Sequence, residues 1–272
     1  MRTIQVNTMI REPLQGHTSK GDQPKWRYRN EWFKADHMGY EALAEIVISR
    51  LLGKSNVKDF DEYVLYDPVW IDDGDAKVPG CASPNFRGKD EMFTPFERLH
   101  RAYNGHGLAQ TISGMETKEK IRYTVDFVEQ TTRLRIHAAL TMLLELDAFF
   151  LNEDRHTNNL AVIRNEQTHE FRLSPVFDNG LALLSDLHDY PLEKDIYLCI
   201  SRVKAKPFHT DFYEQISAAE HLYGPQLHLF FTRQDVVNAL SGLDTLYPDE
   251  VLVRVETILY EQMRKYSYLF TR

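Results

Sequence analysis

The chain has 272 residues, of which 43% are hydrophobic and 26% charged, and a formal net charge of −8. That composition is ordinary for a globular protein with a sizeable core, and the acidic balance argues against a nucleic-acid binder held mainly by phosphate contacts. There is no run of about 18 apolar residues and no apolar signal core near Met1–Val6, so neither a membrane span nor a secretory leader is expected.

The only cysteines, Cys81 and Cys199, are too few for a disulfide framework. They read as buried small hydrophobes in a cytoplasmic, reducing setting. Secretion without a signal peptide is left open.

In chain order, residues 4–9 are expected to form a first short strand, and Leu14 to Pro24 a loop rich in Gly, Ser, Thr and Lys. Lys25-Trp26-Arg27-Tyr28 alternates, Arg29-Asn30-Glu31 supplies turn residues, and Trp32-Phe33-Lys34-Ala35 resumes the extended pattern; this predicts a β-hairpin. From Gly39 to Leu52 the period lengthens. Leu43, Ile46, Val47 and Leu51 share one helical face, and Gly53 stands where the helix stops. Tyr63-Val64-Leu65-Tyr66 reads as a strand broken by Pro68. Residues 71–91 read as a long loop, whose acidic cluster Asp72-Asp73-Gly74-Asp75 lacks the spacing of a calcium loop. Helices are expected at 92–104 and over 117–150, the latter as two helices or one long one, its later part apolar enough to be central and buried. A hairpin is expected at 160–165 and 170–174. Further helices are expected from Thr210 to Leu222, over 233–241 with Thr232 as N-cap, and from Pro248 to Leu269.

Strands and one helix fill the first quarter, and helices fill most of the rest. An α+β fold of two unequal lobes is predicted, with residues 1–67 as a small β-rich lobe and 68–272 as a larger, mainly helical one. A nucleotide-sized ligand would bind in the cleft between them.

Phosphoryl transfer needs a carboxylate near the attacking hydroxyl, and an amide oxygen and a second carboxylate to hold metal against the phosphates. Asn152-Glu153-Asp154-Arg155-His156-Thr157-Asn158-Asn159 and the later Leu173-Ser174-Pro175-Val176-Phe177-Asp178 supply that set in Asp154, Asn159 and Asp178. Upstream stand a loop, Thr18-Ser19-Lys20-Gly21-Asp22-Gln23-Pro24-Lys25, a strand lysine, Lys34, and an acid on the next helix, Glu41, with Glu45 one turn on. Taken singly, each has a bland reading: Asp and Asn favour turns, and a strand lysine is usually solvated. His156 reads as a brace for its loop, since no second His stands at metal-site spacing. The aromatics Trp26, Tyr28, Trp32 and Phe33 read as core or sheet surface. The order of the whole set is what favours a site.

The combination of Gly21-x-Gln23-x-Lys25, Asn152-x-Asp154-Arg155-His156-x-x-Asn159 and Ser174-Pro175-x-x-Asp178 closely resembles the HipA-like serine/threonine kinases, the family of bacterial toxin kinases. The resemblance spans residues 16–208, counting Lys206-Pro207-Phe208, and is strongest to compact, stand-alone members. It implies a two-lobed protein-kinase-like fold and transfer from ATP, with Mg²⁺, to a Ser/Thr hydroxyl of a protein substrate. On this resemblance Asp154 is the catalytic carboxylate, Asn159 and Asp178 are metal ligands, and Lys34 is the phosphate-contacting lysine, paired with Glu41 by preference over Glu45, the choice between the two staying open. Ser19, Gly21, Gln23 and Lys25 would lie along the nucleotide phosphates. Val64, Leu65 and Tyr66, within a hinge from Tyr63 to Asp67, would hold adenine by their backbone. Thr18 and Ser19 are autophosphorylation candidates; a phosphate there adds about −2 charge and would pull the loop from ATP. An antitoxin-like partner is also implied, although the extra N-terminal subdomain of full-length toxin kinases has no counterpart ahead of the loop. The loop has a single glycine, and Phe177-Asp178-Asn179-Gly180 replaces Asp-Phe-Gly, so a standard activation loop is not expected. Two alternatives stay open: a small-molecule phosphotransferase on the same fold, and a non-catalytic toxin–antitoxin binding module.

Overall fold

The computed structural model describes residues 1–7, 10–11, 23–60 and 62–270. Strands β1 (Arg2–Gln5), β2 (Ile10–Arg11), β3 (Lys25–Tyr28), β4 (Glu31–Ala35), β5 (Asp67–Asp72) and β6 (Lys77–Pro84) make one sheet in the order β1-β5-β6-β4-β3-β2. β1 runs parallel to β5, and the other pairings are antiparallel. The hairpin read from alternation is β3–β4, with Trp26 opposite Phe33. Both rings are buried with Val69, Ile71 and Ala82 in a core of their own.

Helix α1 (Glu41–Leu52) follows β4, and all of its residues except Arg50 are buried. The sequence marked one apolar face, but α1 is enclosed on both sides, by β5 and β6 and by the helical lobe. Burying its Leu and Ile side chains at about 1.5–3 kcal/mol each far exceeds the roughly 1 kcal/mol of a helix cap. Packing therefore fixes α1, although Asp36 also caps it by accepting the N–H of Ala42.

Two expectations for the next stretch are corrected. The strand begins at Asp67, after Tyr63–Tyr66, and Pro68 lies inside it. Proline is tolerated there because pairing with β1 begins only at Val69, so no ladder bond needs its missing N–H on that side. The loop expected over 71–91 is largely the hairpin β5–β6. Its acidic cluster forms the turn: Asp72 and Asp73 carboxylates accept the N–H groups of Gly74, Asp75 and Ala76. A lobe boundary after residue 67 would thus cut the sheet, which continues to Pro84.

A short helix, α2 (Val57–Phe60), lies between α1 and β5; after β6 the chain forms β7 (Glu91–Pro95), which pairs with β8 (Ala161–Asn165), itself paired with β9 (Phe171–Leu173). The helix expected from residue 92 therefore starts later, as α3 (Phe96–Asn104), because residues 91–95 are taken up by pairing with β8. Then come α4 (Leu108–Ile112), α5 (Thr117–Thr132) and α6 (His137–Phe150), the last nearly wholly buried from Leu140 on. α7 (Ile196–Arg202), α8 (Phe212–Tyr223), α9 (Arg233–Leu240) and α10 (Asp249–Lys265) complete the helical lobe. Thr232 and Asp235 form the capping box at the start of α9. Among the described residues no helix is long and apolar enough to cross a membrane.

Candidate active site

A cleft of about 280 Å³ lies where the first sheet meets the helical lobe. Lys25, Lys34 and Arg87 bring positive charge to its lining. Trp32, Tyr66, Phe86, Phe93 and Phe177 supply aromatic walls, and Asn158, Asn159 and Asp178 supply oxygen donors. Phe86, Phe93 and Phe177 pack on one another with centroids 5.4–6.3 Å apart.

Lys34, on β4, sits between two acids. Its Nζ is 2.5 Å from Glu45 Oε1 and 2.8 Å from Asp178 Oδ1. The pairing with Glu41 is corrected: the Glu41 carboxylate faces the loop before α1, where it accepts the N–H groups of His37, Met38 and Gly39. Glu45 lies one turn deeper, where α1 passes behind β4. Its second oxygen accepts the N–H of Asn179 at 2.9 Å, so one carboxylate joins the strand lysine to the segment carrying Asp178. Burial opposes the charge on Lys34, but Asp178 and Glu45 outweigh it and hold the ammonium well above the usual lysine range. Burial also works against ionised Asp178, yet Lys34, then Lys25 and Arg155, hold it well below the carboxylate range. Glu45 is raised by burial, with Lys34 pulling it back.

Asp178 has φ +60°, a left-handed conformation that few non-glycine residues adopt. Its neighbours hold it there. Arg155 donates to the carbonyl of Phe177 at 2.9 Å and to Asn179 Oδ1 at 2.8 Å, while Asp147 on α6 accepts from Nε and Nη2 of the same guanidinium. A buried ion pair thus locks the turn after α6 to the Asp178 segment. Strain that is held in place this firmly is a feature of functional sites.

Asp154 follows that turn. Its Oδ1 accepts from Lys206 Nζ at 3.1 Å, and its Oδ2 lies 3.8 Å from His156 Nε2. Burial raises its carboxyl, with Lys206 and then His156 opposing. Asn159 donates its side-chain N–H to the carbonyl of Asp154 at 3.1 Å, which leaves its amide oxygen for another partner. His156 braces the loop as read, its Nδ1 accepting the N–H of Asn158.

The hinge is stitched to both lobes. Val64 N–H donates to the carbonyl of Val176 and Tyr66 N–H to Ser49 Oγ. Val64 and Tyr66 line the cleft, whereas the Leu65 side chain is 50% exposed and does not. The Leu65 N–H has no partner among the described residues. Gln23 packs against Gly180, and its buried Nε2 has no partner among the described residues. Thr18, Ser19 and Gly21 lie outside the described residues. Trp26 and Phe33 are core and Tyr28 is exposed, as read, but Trp32 lines the cleft instead.

Sequence reasoning gave no role to Asp147, Lys206 or Arg87. An acid inside the apolar run from Leu140 to Leu151 was the available signal for Asp147, since a buried charge needs a partner. Elsewhere, Glu153, Asp186 and Asp189 bring carboxylate oxygens within 4.8 Å of one another. Tyr190 donates to Glu153, and nothing else about the cluster points to an ion.

A curled sheet with a strand lysine, a buried helix that brings an acid to it, and a helical lobe that presents Asn159 and Asp178 to the same cleft, with Asp154 on the Asn159 loop but not in the cleft lining, make up a two-lobed kinase-like α+β fold. No protein-family model matches the sequence, and no curated protein matches it. Among solved structures, the chain is similar to the Helicobacter pylori proinflammatory kinase CtkA, with a TM-score of 0.60, 15% identity, and coverage of 97% of this chain and 94% of that one. It is also similar to HipA of Shewanella oneidensis MR-1, solved with HipB and operator DNA, with a TM-score of 0.47, 12% identity, and coverage of 95% and 68%. The likeness to CtkA spans nearly the whole of both chains, so the fold is the two-lobed, kinase-related one expected from the motifs.

Proposed function

We propose that this protein is a phosphotransferase that uses ATP with Mg²⁺ and transfers the terminal phosphoryl group to a Ser/Thr hydroxyl of a protein, including its own loop at Thr18 or Ser19. The observation that carries this reading is the convergence on one cleft of the Lys34–Glu45–Asp178 cluster and the Asp154–Asn159 loop. Lys34 and Lys25 supply fixed charge for the phosphates. The aromatic walls suit a purine, and the Leu65 N–H is the hinge donor left for its edge.

The donor set fits Mg²⁺, a hard cation that prefers oxygen. Asp178 keeps its second oxygen beyond the one held by Lys34, and Asn159 keeps its amide oxygen. Bound there, the metal would neutralise charge on the phosphates. Asp154 orients the acceptor hydroxyl and takes its proton, while Arg155 keeps Asp154 and Asp178 in register. Most of the rate would come from positioning and charge neutralisation.

The test is intact mass after incubation with ATP and Mg²⁺, beside Asp154→Ala and Asp178→Ala. The wild type is expected to gain phosphate, mapped to Thr18 or Ser19, and the two variants to gain none. A wild type that gains no mass and shows no thermal shift with ATP removes the reading. Equal labelling of Asp154→Ala removes Asp154 from its role.

A further inference from the structure

Asp154 has a cationic partner from outside its own loop. Between Asp154 and Asn159 the basic residues are Arg155 and His156. The Arg155 guanidinium is committed to Asp147, the carbonyl of Phe177 and the side chain of Asn179. His156 turns Nδ1 to the backbone of Asn158. Lys34 serves Asp178 and Glu45 on the other side of the cleft. The ammonium that reaches the Asp154 carboxylate belongs to Lys206, in the connection between α7 and α8.

That connection is gripped. Gln215 of α8 is fully buried, and its amide holds three backbone groups around Lys206. It donates to the carbonyl of Lys206 at 3.1 Å and accepts the N–H groups of Phe208 at 2.9 Å and His209 at 3.2 Å. Ala205 and Phe208 are buried on either side of the lysine, and Ala205 N–H bonds to the carbonyl of Thr210. A solvated surface lysine needs no such support. Fixing a long side chain costs rotamer entropy, and the gain here is a preorganised positive charge at the Asp154 carboxylate. The other oxygen faces open chemistry: His156 Nε2, 3.8 Å from Oδ2, is buried and has no hydrogen-bond partner among the described residues.

We infer that Lys206 is the positioning residue of the acceptor side: it holds Asp154 by Oδ1, leaves Oδ2 to the incoming hydroxyl, and fixes positive charge beside the oxygen that attacks. This rests on the phosphotransferase reading above. In the step, the acceptor oxygen forms a bond to the terminal phosphorus of ATP and the bond from phosphorus to the bridging oxygen breaks. ADP leaves with that electron pair, and the acceptor proton passes to Asp154. An ammonium fixed before the reaction begins stabilises the developing charge with no reorganisation at that moment.

The experiment compares wild type with Lys206→Ala, Lys206→Gln and Lys206→Arg. The readouts are the rate of phosphate incorporation at saturating ATP, the KM for ATP, and the thermal shift caused by ATP with Mg²⁺. The two neutral variants are expected to lower the maximal rate by about a hundredfold, with KM and thermal shift unchanged. Lys206→Arg is expected to recover to within about tenfold of wild type. The glutamine variant keeps length and polarity, and so stands in if the alanine variant folds poorly. Neutral variants that label at the wild-type rate overturn the inference, as does a loss traced wholly to weaker ATP binding. An active wild type with an equally active Lys206→Gln removes this inference alone. A wild type that transfers no phosphate removes the phosphotransferase reading and this inference with it.

Discussion

The carboxylate of Glu45 accepts the backbone N–H of Asn179 at 2.9 Å, although the two residues are 134 positions apart. Its other oxygen is held by Lys34, so a helix of the first lobe sets both the lysine and the segment that presents Asp178. Glu41, one turn earlier on the same helix, does neither.

The two acids are therefore expected to separate in a mutational test. Glu45→Gln keeps the shape but replaces a charge-assisted hydrogen bond worth about 1.5–3 kcal/mol. Phosphate incorporation should fall roughly ten- to a hundredfold, and the thermal shift with ATP should shrink. Glu41→Gln should lower the melting temperature, because three backbone N–H groups lose their anionic acceptor, while leaving the rate within about threefold. The reverse ranking would restore Glu41 as the functional acid.

Arg155 and Asp147 are each only 1% exposed. Such pairs are weak evidence for net stabilisation, but breaking one leaves a buried charge uncompensated, at about 3–5 kcal/mol. Arg155→Met should lower the urea midpoint by that equivalent and also release Phe177 and Asn179. Adding Asp147→Leu to Arg155→Met should recover much of the stability and none of the phosphate incorporation. A double variant as unstable as the single one would show that the orphaned charge is not the cost.

How far the sequence carries can be read from these residues. Period and turn chemistry marked α1, the β3–β4 hairpin and the α9 cap, because each is set by neighbours within a few positions. The β5–β6 hairpin was hidden because a Gly-containing acidic turn and a strand with an early proline look like loop until the partner strands are in place. Asp154, Asn159 and Asp178 were legible as an ordered set. Their organisers were less so: Glu45, which acts across 134 positions, was legible only as the alternative to Glu41, and Asp147 and Lys206, which act across 8 and 52, were not. Glu41 and Glu45 share one face of a helix a turn apart, and only the packing of α1 behind β4 separates them.

Gly39 joins the lobes. Tyr40 N–H bonds to the carbonyl of Ser185 and Leu187 N–H to the carbonyl of Met38, and a Cβ at Gly39 would stand 2.1 Å from the Ser185 oxygen. The backbone cannot yield without parting the loop before α1 from the segment after Asp178. Gly39→Ala should cost about 1–3 kcal/mol, a fall in melting temperature on the order of 5 °C. Gly114→Ala, where nothing lies within 4 Å, should leave the melting temperature unchanged. Equal behaviour of the two would mean that the contact at Gly39 is slack.

Glu145 gives the protein a pH dependence of known sign. It is buried on α6 and accepts the N–H groups of Gln226 and Leu227. Burial pushes its carboxyl up to about 8; the two backbone N–H groups pull it back, and the neighbouring Glu220 raises it further. The folded chain thus keeps a proton that the unfolded chain loses near 4.5. Between those two pH values the folded state binds more protons, so stability falls as pH rises from about 4.5 to about 8 and levels off above. The loss is on the order of a few kcal/mol. Glu145→Gln is neutral throughout and keeps an oxygen for both N–H groups. Its stability relative to wild type should therefore be lowest near pH 4.5 and grow toward pH 8, read from melting temperatures across that range. Asp36 and Asp147, also raised by burial, add slope to both proteins and cancel in the difference. A gap that stays constant with pH would mean that Glu145 is ionised in the folded protein at its ordinary pKa.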